Sequence, residues 1–94
     1  MATFNISCPG ASGVGTRVVG PDDIPGPFVL QNVGQCKLKV AMRDSDGSLF
    51  GAMEIGPGGQ INYYVHDRAA ELIAVCWTDC RGTGALNVSK GTSV

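Results

Sequence analysis

From position 28 onward the chain alternates apolar and polar residues in short runs broken by glycine. The clearest run is Cys36-Lys37-Leu38-Lys39-Val40-Ala41-Met42-Arg43, which places Cys36, Leu38, Val40 and Met42 on one face and Lys37, Lys39 and Arg43 on the other. One face wants a core and the other wants water. The same reading predicts strands over 28–33, 36–43, 49–55, 61–66, 72–78 and 85–89, with a further strand near 3–7. No 3.6-residue periodicity is long enough for a helix, and only 66–71 is suited to a single helical turn. Turns every 8–12 residues or so indicate an all-β, single antiparallel β-sandwich, Ig-like or jelly-roll-like, of about seven short strands. In the run 72–77 both faces are apolar, so this strand is expected to be central with cover on each side, or to present its outer face to a partner.

The 94 residues form one domain in two unlike parts. Residues 9–27 hold four of the five prolines and five glycines, and read as a loop or extended N-terminal arm. A loop of that length in a compact domain is often a contact segment. Residues 28–90 are the main strand meander.

Composition changes the picture in one respect. Charged residues make up 16% of the chain, well below the roughly 25% of an average soluble domain. A small protein has proportionally more surface to hydrate, so either neutral polar residues supply the cover or another protein does. The net charge of −1 and the scattered cations exclude an electrostatic grip on nucleic acid. No apolar run approaches the ~20 residues of a membrane-spanning helix. Met1 to Cys8 show no basic segment followed by an apolar stretch, so a cytosolic product, or one already relieved of a leader, is expected.

The four cysteines are Cys8, Cys36, Cys76 and Cys80. Cys76 and Cys80 have clip spacing for zinc, but Cys8 and Cys36 stand alone, and a four-thiolate site normally needs two clips. No metal or cofactor is therefore expected. Cys36 and Cys76 occupy apolar strand registers, which suits free buried thiols; two disulfides are the alternative, with a Cys76–Cys80 bridge able to staple the turn between them. Asp44-Ser45-Asp46-Gly47-Ser48 has oxygen ligands at alternate positions, yet Ile55 stands where a calcium loop needs its glutamate, so a hairpin turn is expected. His66 and Asp67 are neighbours whose side chains diverge on a strand, and no serine sits in a nucleophile elbow, so no catalytic residues are assigned. Tyr63 should face inward and Tyr64 outward. Tyr64, Trp77, Ile24 and Phe28 are the candidate interface residues.

In its strands, its Pro/Gly-rich arm and its few charges, the chain resembles the small β-sandwich proteins with which phages decorate or cement their capsids. The resemblance covers the whole chain in outline and transfers no site residues. It implies a non-enzymatic structural protein that pairs with itself or docks on a larger assembly, in a virion or the cytoplasm. The alternatives are a secreted or periplasmic disulfide-stapled binding module using Tyr64 or Trp77, and a small thiol- or metal-dependent enzyme using Cys76, Cys80 and His66.

Overall fold

The computed structural model describes residues 2–6, 15–76 and 80–91. Eight strands, β1 (Ala2–Ile6), β2 (Thr16–Val19), β3 (Gly26–Asn32), β4 (Leu38–Arg43), β5 (Leu49–Ile55), β6 (Gln60–Val65), β7 (Glu71–Cys76) and β8 (Gly84–Lys90), form two antiparallel four-stranded sheets. Their orders are β1-β8-β3-β6 and β2-β7-β4-β5. The pairing is that of one long hairpin, with β4 against β5 at its tip, then β3 against β6, β2 against β7 and β1 against β8. Rolling this hairpin over sets β8 beside β3 and β7 beside β4. That arrangement is the eight-stranded jelly roll, one of the two sandwiches the alternation allows.

The expected strands appear within one or two residues of their anticipated ends, and β2 is an addition. It lies inside 9–27, so that stretch is not wholly a loop or arm: Thr16-Arg17-Val18-Val19 is short but rich in β-branched residues, and it completes the second sheet against β7. The glycines and prolines on either side had hidden it. The single turn of 3₁₀ helix also falls in that stretch, at Pro21–Asp23, whereas 67–70 form a turn and bend.

Inward rows of the two sheets interdigitate. Leu30, Leu38, Val40, Val65, Leu72, Ala74 and Leu86 are completely buried. Truncating one of these leucines to alanine removes its transfer energy and leaves a cavity, about 2–5 kcal/mol. β7 is central, between β2 and β4, and its outward Ile73 is covered as well: a Cβ added to Gly15 would lie 2.8 Å from Ile73 Cδ1. At Ile73 the outer side of the apolar run is thus occupied.

The outermost strand of the second sheet is interrupted. Between the pairs Val40–Met53 and Met42–Phe50 the β5 side carries an extra residue, a bulge at Gly51 with φ +66°. Only glycine suits that conformation and that space, because an added Cβ would meet Met42 Cε at 2.6 Å and Tyr63 Oη at 3.0 Å. The Tyr63 hydroxyl donates to the Gly51 carbonyl and closes this side of the sandwich. Burial raises the Tyr63 hydroxyl above its ordinary pKa, with a smaller opposing effect from the backbone at Met42.

One end of the sandwich gathers the segments 33–37, 56–59 and 80–83. Asn32, completely buried, ties the first two: its Nδ2 donates to the carbonyls of Cys36 and Ile55, each at 2.8 Å, and its Oδ1 accepts from Gly34 N–H. Its main chain bonds Gly58 and Gly59. No described buried side-chain polar atom lacks a partner.

Candidate functional site

The outward faces of the two sheets are chemically unlike. Strand register sets rows across the first sheet: Gln60, Gln31, Asn87 and Thr3 form one row over all four strands, and Asn62, Val29 and Ser89 form the next. Pro27 and Tyr64 pair beyond them, and Ala85 and Asn5 on the other side. None of these residues is charged. In the strands of this sheet the one charged residue is Lys90, which ends β8 beside Asp23, with its amine 3.8 Å from the carboxylate. On the amide row Thr3 Oγ1 donates to Asn87 Oδ1 at 2.6 Å.

The second sheet carries Arg17, Lys39, Arg43, Glu54 and Glu71, all on the outward side. Glu71 is clamped from both directions: Arg17 Nε donates to its Oε1 and Arg43 Nη1 to its Oε2, each at 2.8 Å. This face is hydrated by charge and the other only by neutral dipoles. The shortage of charge noted in the composition is therefore concentrated on one sheet.

The predicted interface residues separate. Tyr64 is outward, 53% exposed, at the edge of the neutral face, where its ring meets His66 edge-on at 5.3 Å. Tyr63 is inward, as its register required. Phe28 is corrected: at 4% exposure it belongs to the core, because its place in β3 puts it on the inward row. Ile24 is half-buried against that core. Trp77 and Cys8 lie outside the described residues. Sequence reading missed Val29, Gln31, Asn62 and Asn87, because their significance lies in sharing one face across strands far apart in the chain.

The cysteines also need correction. Cys36 and Cys80 form a disulfide with a Cα–Cα distance of 5.8 Å, Cys76 is disulfide-bonded too, and no described cysteine is free. Neither free buried thiols nor the Cys76–Cys80 pairing is found. Strand geometry explains the choice: the turn before β4 brings Cys36 to the connection after β7. His66 precedes β7 and Cys76 ends it, so a six-residue strand, ~20 Å long, separates histidine from thiols and no single site unites them. The Asp44 segment is the expected turn, with Asp44 Oδ1 accepting from the N–H groups of Asp46 and Ser48.

An open cleft of about 270 Å³ lies between the sheets beside β1 and β2, lined mainly by Ala2, Phe4, Val18, Val19, Phe28 and Val88. Asp23 and Lys90 also line it and face each other. No helix among the described residues is long and apolar enough to cross a membrane. No family model, curated protein or solved structure matches this chain.

Proposed function

We propose that this protein is a non-enzymatic structural subunit that joins copies of itself through the outer face of the β1-β8-β3-β6 sheet, and so builds or decorates a larger shell such as a virion. The observation that carries this reading is the absence of charge from that face. A neutral face loses less by leaving water than a charged one and does not repel its own copy. Its amides and hydroxyls both donate and accept, so across a two-fold axis each row has suitable mates. The faces are the broadest surfaces of a body measuring 34 × 29 × 18 Å. Disulfides are at home on virions and other extracellular structures and are rare in reduced cytosol, which favours the virion over the cytoplasm as the setting. Jelly rolls serve as capsid proteins but also as lectins and cupins, so the fold supports the reading without deciding it.

Native mass spectrometry of the oxidised protein tests it. A closed oligomer is the expected result, and a monomer at tens of micromolar would overturn the proposal. A second reading, a disulfide-stapled binding module for an external ligand, is favoured by the Cys36–Cys80 bridge and by exposed Tyr64. It predicts an oxidised monomer whose ligand affinity falls in Tyr64→Ala.

A further inference from the structure

We infer that the reduced chain holds one zinc ion through Cys36, Cys76 and Cys80, so that the end of the sandwich closed by disulfides under oxidising conditions is closed by a metal under reducing ones. The three Sγ atoms lie within 4.8 Å of one another. Thiolates around a tetrahedral zinc, with bonds of ~2.3 Å, stand ~3.8 Å apart, so small side-chain rotations suffice. Cys36 and Cys76 are almost fully buried and Cys80 half-buried, a setting that excludes competing water.

Hydrogen bonds besides the disulfide hold 33–36 against 83–85. Gln35 N–H donates to the Thr83 carbonyl at 2.8 Å, Gln35 Oε1 accepts from Thr83 N–H at 3.3 Å, and Val33 N–H donates to the Ala85 carbonyl at 3.1 Å. Asn32 fixes the carbonyl of Cys36 itself. At Gly34 the two segments touch so closely that an added Cβ would lie 2.6 Å from Ala85 N and Thr83 O. Reduction thus leaves Cys36 two residues from Leu38, which pairs with Cys76, and Cys80 three residues from Thr83, which Gln35 holds. A preassembled thiol set avoids the ordering cost that weakens flexible sites. Sequence spacing alone argues against a metal because Cys36 lies 40 positions before the Cys76–Cys80 clip; the jelly roll brings it there.

The chemistry balances with a phosphine as reductant. Each disulfide and one water yield two thiols as the phosphine becomes its oxide. Two equivalents therefore open the Cys36–Cys80 bridge and the one holding Cys76. Zinc then displaces three protons from the three thiols, leaving the site with one negative charge and a fourth position for another ligand.

The test uses the full chain, reduced anaerobically with a water-soluble phosphine and titrated with cobalt(II), then with zinc. The expected result is one equivalent of cobalt, with sulfur-to-cobalt charge-transfer absorption and the intense visible bands of a tetrahedral site, displaced by one equivalent of zinc. Cys80→Ser should weaken zinc binding at least as much as loss of an outer-shell partner does, about 10–100-fold, while Cys8→Ser should leave it within a few-fold. Absence of the charge-transfer band would overturn the inference. So would loss of the β-sheet circular dichroism on reduction before metal is added, or abolition of binding in Cys8→Ser.

Discussion

The two sheets share one core and differ in what they show to the outside. The β1-β8-β3-β6 sheet presents rows of amides, hydroxyls and small apolar groups, whereas the β2-β7-β4-β5 sheet presents five ionised side chains and a bulged outer strand. A solitary 94-residue domain gains solubility by spreading charge over its whole surface. Here the charge of the strands lies almost wholly on one side. The difference teaches that low overall charge can mark a particular face, and that the face appears only when the strands are assembled. The bulge belongs to the same contrast, since it bends the β5 edge away from flat pairing with a further strand.

The largest effect is expected where the sheets are joined. Asn32→Ala leaves the carbonyls of Cys36 and Ile55 buried without their donor, and should cost about 2–5 kcal/mol in denaturant unfolding. Gly51→Ala puts a side chain into positive φ and against Met42 and Tyr63; about 1–3 kcal/mol of destabilisation is expected. A thermal melt unchanged by that substitution would show that the bulge is not rigid.

Smaller effects separate the two faces further. Glu71→Gln removes the anion from between Arg17 and Arg43 and should cost about 1 kcal/mol, with the partly buried Arg43 pair resisting salt better than the exposed Arg17 pair. Tyr63→Phe loses the bond to the Gly51 carbonyl, again about 1 kcal/mol. The Tyr63 pKa is raised in the folded state, so its contribution is fully present below its ordinary value of about 10 and is lost as pH rises through the raised value. Wild type should therefore lose this stability at alkaline pH, while Tyr63→Phe shows no corresponding loss. The smallest change in stability, within about 0.5 kcal/mol, is expected for Lys39→Gln on the charged face, whereas Val29→Lys on the neutral face should lose only the stabilisation that association supplies.

Much of the fold is legible in the sequence. Alternation in 36–43 identifies β4 and its inward residues, and Asp44-Ser45-Asp46-Gly47 identifies the turn after it. β2 escaped because four β-branched and basic residues between glycines give too short a period to register. Phe28 escaped because a lone aromatic after a proline carries no sign of which face it occupies. The candidate interface could not be read locally at all: Gln31, Gln60 and Asn87 become one row only through the β3–β6 and β3–β8 registers. The Cys36–Cys80 bridge is non-local for the same reason.

Sedimentation velocity of oxidised wild type, Val29→Lys and Lys39→Gln, each over a range of concentrations, tests the central claim most directly. Val29 pairs with Asn62 and Ser89 at the middle of the neutral face, so a lysine there places a charge at the centre of the proposed contact without touching the core. The account predicts that wild type and Lys39→Gln sediment as the same oligomer, while Val29→Lys sediments as a folded monomer. A monomeric wild type, or an oligomer indifferent to Val29→Lys, would contradict it.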